Sequence, residues 1–562
     1  MPIGGEVLAT MLERYGVTHV FHVPAILRHT MVAIERHTAI KRIRPHGEAS
    51  AAYMADGYAR ASGRPGVCMA QVVGALNLAA GLRDAYLAHS PVVAFTGGRF
   101  PETKFRGAYQ EVDDVPAFEP VTKWNATVDD VDRIPDMVRQ AFRVATSGAP
   151  GPVHLQFQGN EGQLDGQETT AEPLVEEAFA AVPPYRPVPA ERAALQRAVE
   201  ALATAARPVI VAGGGVRASG AAAQLVGLAE RLQVPVATSL NGKEVIPAAH
   251  PLSVGVVGSY SRGSANVVVG EADLVCFVAT SAGGMTTHFW QVPPLHRRSI
   301  HIDIDPEVMG RNYASEVMVQ GDARAVLERM VELAANVACD HRAWTQRAAS
   351  VVDGWRQEHA ELLASDAVPI RPERVCAELT EHVPDDAIVV VDTGHAGMWM
   401  GGMWDVRTPR QSYLRSAGHL GWAFPAAMGA KCAVPDQPVV CFTGDAGLWY
   451  HLAEIETAVR WGINSVTVVN NNSSGNQSKR GFDRAYGGRQ TERAERELWR
   501  FTPVDFAAVA NEIGALGIRV EKPSEFTPAL HAGLAAGRPV LIDVVTDIEA
   551  LPPLAVTVDS AD

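Results

Sequence analysis

The sequence predicts three consecutive α/β units, each built on a doubly wound parallel sheet. Three observations carry this expectation. The chain has 562 residues, more than one hydrophobic core organises, so about three domains are expected. Short apolar runs alternate with amphipathic stretches of helical period, the rhythm of βα units around a parallel sheet. That rhythm is interrupted twice, near 160–189 by a polar, acidic and then proline-rich stretch that reads as a linker, and near 335–370 by a charged helical segment.

In chain order, the first unit covers 1–165. It opens on MPIGGEVLATMLERYGV, where Glu6, Glu13 and Arg14 sit inside the apolar pattern, so it reads as an amphipathic helix and not as a signal peptide. Apolar runs at 17–23, 66–71, 91–95 and 152–156 predict its strands. The second unit, 190–335, has an Ala-rich helix, a strand at 208–212, the turn Gly213-Gly214-Gly215, a helix, and strands at 234–238, 274–278 and 299–304. The third, 370–550, has strands at 387–391, 438–442, 465–470 and 539–545. The final LPPLAVTVDSAD reads as a tail, laid over another surface or disordered.

Composition excludes several classes of function. The net charge of −14 comes from 63 acidic and 49 basic residues without long runs of one sign, which argues against a nucleic-acid or anionic-membrane partner. No apolar run approaches the roughly 20 residues of a membrane span. Six cysteines without CxxC spacing fit a reducing compartment, so a cytoplasmic location is expected.

Two segments carry chemistry. The first, G-D-A-G-L-W-Y-H from Gly444, follows an apolar strand and opens a helix. Backbone N–H groups at such a turn cradle phosphate, and Asp445 offers a hard oxygen to Mg²⁺; an ordinary capping Asp is the plain alternative. After the helix and the next strand comes Asn470-Asn471-Asn472-Ser473-Ser474-Gly475, a second group of oxygen donors at the carboxyl edge of a neighbouring strand, where open α/β sheets bind ligands. The second segment, H-G-E-A-S-A-A-Y-M-A-D-G-Y-A-R from His46, places Glu48 before a helix of small residues, where a carboxylate is poorly solvated.

These motifs resemble those of the thiamine-diphosphate enzymes of the acetolactate synthase type, whose metal motif begins Gly-Asp-Gly and ends in paired Asn about 27 residues on. Asp445 to Asn472 is 27 residues. The resemblance implies Mg²⁺ held by Asp445, the Asn472 side chain and the Ser474 carbonyl, with Asn471 a register alternative, and the diphosphate beside Gly444, Ala446 and Gly447. Ala446 replaces the second glycine. Glu48, eight residues before Asp56-Gly57-Tyr58-Ala59-Arg60, matches the glutamate that bonds the cofactor pyrimidine.

S-A-G-H-L-G-W-A-F from Ser416 resembles the pyrimidine-binding stretch, implying the Gly418 carbonyl and Leu420 as contacts; D-T-G-H-A-G-M-W from Asp392 implies Gly394, His395 and Ala396 on the diphosphate side. Gln110 matches the glutamine near the reacting carbon, with His89 and Lys123 in comparable loops. The implied domains are pyrimidine-binding, middle and diphosphate-binding. The implied assembly is a homodimer or dimer of dimers, each cofactor lying between Glu48 of one subunit and Asp445 of the other. Further matches, among them G-A-L-N-L-A-A-G from Gly74 and H-I-D-I-D-P from His301, extend the likeness over nearly the whole chain.

The implied activity is carbon-carbon bond cleavage or ligation on a 2-oxo acid or related small carbonyl compound, through ylid and enamine intermediates. The chain departs from the synthases in further places. Gly47, with His46 one step earlier, stands where His usually precedes the glutamate. The first turn reads F-H-V-P-A-I-L-R-H. The loop after the metal motif, N-Q-S-K-R-G-F, lacks the tryptophan-bearing segment that selects the acceptor. The second unit reads A-T-S-A-G-G-M-T-T-H-F-W where synthases carry an Arg- and Asp-rich flavin-contacting stretch, so FAD is not expected. A 2-hydroxyacyl-CoA lyase or diketone hydrolase on the same scaffold, and a catalytically silent regulatory paralogue, are the alternatives. A dehydrogenase built on Gly213 to Gly215 lacks the full GxGxxG pattern.

Overall fold

The computed structural model describes residues 1–188 and 191–553, so most of the terminal segment expected to be a tail, 554–562, lies outside the described residues, as do 189–190 at the expected start of the second unit. The first sheet contains β1 (His19–Val23), β2 (Lys41–Ile43), β3 (Gly66–Ala70), β4 (Val92–Gly97), β5 (Trp124–Val128) and β6 (Val153–Phe157), in the order β2-β1-β3-β4-β6-β5. The second contains β7 (Pro208–Ala212), β8 (Val236–Thr238), β9 (Ser253–Val256), β10 (Leu274–Val278), β11 (Arg298–Asp303) and β12 (Ser315–Gln320), in the order β12-β11-β10-β7-β8-β9. The third contains β13 (Ile388–Val391), β14 (Ser412–Arg415), β15 (Val439–Gly444), β16 (Val466–Asn471), β17 (Leu516–Val520) and β18 (Val540–Val545), in the order β14-β13-β15-β16-β18-β17. Neighbouring strands in all three sheets run parallel.

The first and third sheets therefore share one topology, while the second has the order of a dinucleotide-type sheet. The α/β class with three parallel sheets stands as expected. The inner strands are buried on both faces, as in Val67, Cys68, Met69 and Ala70 of β3, because helices cover both sides.

The first and third units are welded by two helices, Glu48–Ser62 and Ala423–Ala433. A Cβ at Gly57 would collide with the Ala426 carbonyl, and one at Gly429 with the Met54 carbonyl, so the two glycines let the backbones touch reciprocally. Met54, Trp422, Ala426 and Met428 then bury into one apolar cluster shared by the two units. The second unit buries its own clusters, for example around Leu225, Leu228 and Ile300. The linker 160–189 runs through two short 3-10 turns, Gln163–Gly166 and Glu177–Ala180, and the charged stretch beyond the second unit forms the helix Arg342–Leu363.

Candidate active site

β15 ends at Gly444 and the chain turns directly into the short helix Asp445–Trp449. Asp445 is only 2% exposed. Its Oδ1 accepts a hydrogen bond from the Ala446 N–H at 2.9 Å, and its Oδ2 one from the Ser474 N–H at 2.9 Å. Burial pushes its pKa up to about 7, against the pull of those backbone donors. A cation beside this carboxylate would offset the cost of burying its charge.

The second ligand group arrives because β16 lies beside β15 in register, Gly444 opposite Asn470. The three asparagines are not equivalent. Asn471 is committed to the scaffold: its Nδ2 donates to the Val504 carbonyl and to Asp543 Oδ1, at 3.0 and 2.8 Å. Among the described residues, Asn472 has a side-chain hydrogen bond only with Ser474, whose Oγ donates to its Oδ1 at 2.9 Å. Ser473, at φ 55°, takes the left-handed turn that brings Ser474 back over Asp445. Backbone bonding to the 499–501 segment uses the groups on either side, the Gly475 N–H and the Ser473 carbonyl. Ser474 thus links the two, its N–H bonded to Asp445 and its hydroxyl to Asn472, and Asn470 Oδ1, nearby in sequence, is buried without a hydrogen-bond partner among the described residues.

Asp392, at the end of β13, ties these parts together and was missed as a site residue in the sequence. Its carboxylate accepts from the Thr393 N–H at 2.8 Å, the Gly421 N–H at 3.1 Å and Thr443 Oγ1 at 2.9 Å. A Cβ at Gly447 would lie 2.6 Å from it, which explains a glycine there. Burial pushes its pKa up to about 7. The signal available in the sequence was an acid at a strand end next to Thr-Gly. Gly394, at φ 67°, then opens the helix Gly394–Gly402, and His395 in its first turn is held neutral, its pKa pushed down to about 4 by burial and by the Arg480 charge.

The Ser416 to Leu420 loop follows β14. Its shape is imposed by the first unit: Asp84 accepts from Ser416 Oγ at 3.0 Å and from the Ala417 N–H at 2.9 Å. Asp84 itself pairs with Arg60, which also pairs with Asp56, all three buried. Gly418 has φ 148° and open space at its Cβ position, and Leu420 is 36% exposed.

Glu48 opens the helix that carries Asp56 and Arg60. It is half-exposed, accepts from Asn77 Nδ2 at 3.1 Å, and rests on Gly74, whose Cβ would come within 2.5 Å of Oε1. Gln71 Nε2, one 3-10 turn away, donates to Gln110 Oε1 at 3.2 Å. Glu48 and Gln110 thus gather at one turn of the first unit, next to exposed Val73 and Leu76, whereas the residues near Asp445 gather at the third sheet.

Comparison with known proteins fits this two-part layout. Residues 3–117 match the N-terminal TPP binding domain of thiamine pyrophosphate enzymes, 195–330 their central domain and 392–544 their C-terminal TPP binding domain. The chain is 33% identical to a probable acetolactate synthase large subunit of Methanocaldococcus jannaschii, over 98% of this chain and 93% of that one. It is 31% identical to the corresponding protein of Methanococcus aeolicus, over 98% and 94%. It is 30% identical to the acetolactate synthase isozyme 3 large subunit of Escherichia coli, over 97% and 95%.

The chain belongs to the thiamine pyrophosphate enzymes, of the acetolactate synthase type. It is a thiamine-diphosphate-dependent carboligase of that type, and these relatives favour this reading over the lyase, hydrolase and silent-paralogue alternatives.

Within this thiamine pyrophosphate enzyme, several other residues named from the sequence do structural work. His46 pairs with Glu456 at 2.7 Å across the seam of the two welded units. Lys123 Nζ donates to the carbonyls of Val144, Ser147 and Ala149, closing the end of the helix Ile134–Thr146. His89 lines a cavity of about 240 Å³ between the three units, facing Asp303 and Asp305 at the carboxyl ends of the second sheet, with Gly214 and Arg217. Trp399 and Trp404 are core residues, while Phe289 is exposed. No helix among the described residues is long and apolar enough to cross a membrane.

Proposed function

We propose that this enzyme joins a 2-oxo acid to a second carbonyl compound, with the cofactor's diphosphate and Mg²⁺ held by Asp445, the Asn472 side chain and the Ser474 carbonyl. What supports this reading is that Ser474 bonds the buried Asp445 carboxylate through its N–H and Asn472 through its hydroxyl at one sheet edge. Among the described residues no group of three His, Cys, Asp or Glu side chains could hold a metal, so a site with one carboxylate, an amide and a carbonyl suits a cation that brings phosphate oxygens with it, as Mg²⁺ does. The short helix after Gly444, with Ala446 and Gly447, and Gly394 to Ala396 on the neighbouring strand end, offer backbone N–H groups to the diphosphate.

When bound, the cofactor supplies a thiazolium that stabilises negative charge on a former carbonyl carbon. The chain's own residues do the rest. Glu48 holds a proton at the pyrimidine ring nitrogen, and the Gly418 carbonyl accepts from the neighbouring amino group. Leu420 would pack against the bound cofactor, and Gln110 would donate its amide hydrogens to the substrate oxygen. Glu48 and Asp445 serve one site from two subunits, so a homodimer, alone or paired into a tetramer, is the working form; exposed Phe105, Tyr109, Val73 and Tyr450 supply apolar contact area for it. The functional limits proposed are 1–165 for the pyrimidine half, 190–335 for the middle domain and 370–550 for the diphosphate half. Six free cysteines accord with work in the cytoplasm.

The deciding experiment is calorimetric titration of thiamine diphosphate into metal-stripped protein, with and without Mg²⁺, for wild type and Asp445→Ala, followed by product analysis with pyruvate. Mg²⁺-dependent binding abolished in Asp445→Ala, with acetolactate formed by the wild type, is the expected result. A folded wild type that binds no cofactor refutes the site, and cofactor binding without ligation product refutes the reaction.

A further inference from the structure

The helix Gly394–Gly402 meets different units at its two ends. Its first residues, Gly394 to Ala396, are those proposed above to face the diphosphate. Its last carbonyls meet the middle domain: Lys243 Nζ donates to the Gly401 carbonyl at 2.8 Å, and Arg262 Nε to the Gly402 carbonyl at 2.9 Å, both bonds buried. A helix leaves its final carbonyls without partners of its own and gathers partial negative charge there, so a pair of cations matches that end in both respects. Lys243 sits in the 3-10 turn Leu240–Val245 that follows β8, and Arg262 directly precedes the helix Gly263–Glu271.

Both cations are anchored in turn. The Arg262 guanidinium bonds Asp405 and lies 4.4 Å from the Trp355 ring centroid, while the Lys243 ammonium lies 6.0 and 5.9 Å from the ring centroids of Trp404 and Tyr413. The backbones also touch: a Cβ at Gly401 would stand 3.0 Å from the Tyr260 carbonyl, and one at Gly402 3.0 Å from the Ser261 carbonyl. The middle domain thus grips the helix about 10 Å behind its diphosphate end. Burial and the Arg262 charge push the Lys243 pKa down to about 7, against the pull of Asp405, which also lies 3.9 Å from Arg356. Of the other groups around Lys243, Cys376 and Tyr413 are pushed up by burial and stay neutral, and Glu244, next in the chain, accepts from the Tyr413 N–H and lies 3.6 Å from Arg217.

Resting on the diphosphate position given under the proposed function, we propose that Lys243 and Arg262 are positioning residues of the middle domain, which hold the helix Gly394–Gly402 by its carbonyl end and so set its N–H end against the diphosphate. The test is calorimetric titration of thiamine diphosphate with Mg²⁺ into full-length wild type, Lys243→Met, Lys243→Arg and Arg262→Met, at about pH 6 and about pH 8.5, with melting temperatures measured alongside. Lys243→Met, which keeps the volume and loses the charge and the donor, is expected to bind the cofactor about three- to tenfold more weakly at the lower pH, and Lys243→Arg to regain most of that loss. The gap between wild type and Lys243→Met narrows at the higher pH, because the Lys243 charge is lost as pH rises through 7, whereas the gap between Lys243→Arg and Lys243→Met persists. Arg262→Met weakens binding alike at both, since a guanidinium keeps its charge. Asp392 and Asp445 titrate in every variant and cancel in these ratios. If Lys243→Met does not fold, wild type against Lys243→Arg carries the same test, their affinities diverging above pH 7. A cofactor Kd unchanged in Lys243→Met while its melting temperature drops overturns the proposal, and so does a gap that neither pH nor arginine alters. Those outcomes leave the proposed function standing where the wild type binds the cofactor and Asp445→Ala does not; a folded wild type that binds none overturns both.

Discussion

The first and third units have the same strand order, yet they hold their functional acids in opposite ways. Asp445 and Asp392 are buried, each with two or more backbone or hydroxyl donors, and their pKa values are pushed up to about 7. Glu48 is half-exposed, rests on a glycine and has one amide partner. Its neighbours Val73 and Leu76 are open to solvent. The difference teaches that the third unit holds its acids in hydrogen bonds already made, with its Ser416–Ala417 turn braced by Asp84 of the first unit, while the first presents an acid on an unfinished surface. Two copies of one topology have thus been specialised, one for gripping charge and one for offering a proton to something laid against it.

The sharpest way to break that comparison is to mix variants. Glu48→Gln and Asp445→Ala, each alone, are expected to lower turnover by at least about 100-fold, the loss typical of removing an acid-base group or more. If the halves combine across subunits, co-refolding the two variants restores roughly a quarter of wild-type activity, since half of the random dimers are mixed and each has one intact site. A mixture as inactive as its components places both halves in one chain.

Next in size is the bond between the two units within a chain. Asp84→Ala leaves Arg60 with one of its two carboxylates and frees the Ser416–Ala417 turn; a loss of about 3–5 kcal/mol in chemical denaturation is expected, as for breaking other buried ion networks. A loss under about 1 kcal/mol would mean that the loop is shaped by its own unit.

A third prediction concerns pH. The Asp392 carboxyl has an ordinary value of 3.8 and is pushed up to about 7 in the folded chain. Between those values the unfolded chain has released a proton that the folded chain keeps, so stability is fully present below about pH 4 and falls as pH rises through 7. The melting temperature of the cofactor-free wild type relative to that of Asp392→Asn is therefore expected to fall between pH 5 and pH 8; Asp445 and Glu244, also pushed up to about 7, act in the same sense in both proteins, and buried histidines such as His22 and His451, held at about 4, in the opposite one. An unchanged slope in Asp392→Asn would assign the effect elsewhere.

The smallest expected effect lies at the same seam. Ser50 Oγ and His451 Nδ1 are 2.8 Å apart, and Ser50→Ala should cost about 1 kcal/mol and leave turnover unchanged. A large loss of activity would move the catalytic boundary into the seam.

The sequence by itself determined the class of fold, the inner strands and the motif residues. Runs such as 274–278 and 438–442 are legible because inner strands of a doubly wound sheet are buried on both faces and read as unbroken apolar stretches. The outermost strands were not legible. Lys41–Ile43, Trp124–Val128, Ser315–Gln320 and Leu516–Val520 mix exposed or half-buried positions with buried ones, and only the neighbour that pairs with them makes them strands. The spacing from Asp445 to Asn472 was readable because a strand, a helix and a strand of fixed length separate two sheet-edge positions. Which asparagine is taken up by the scaffold was not, since that depended on Asp543 and Val504 claiming Asn471 from far along the chain. The role of Asp392 as a hub was likewise decided by tertiary structure alone, because burial and partnership are properties of what surrounds a residue and not of its neighbours in sequence.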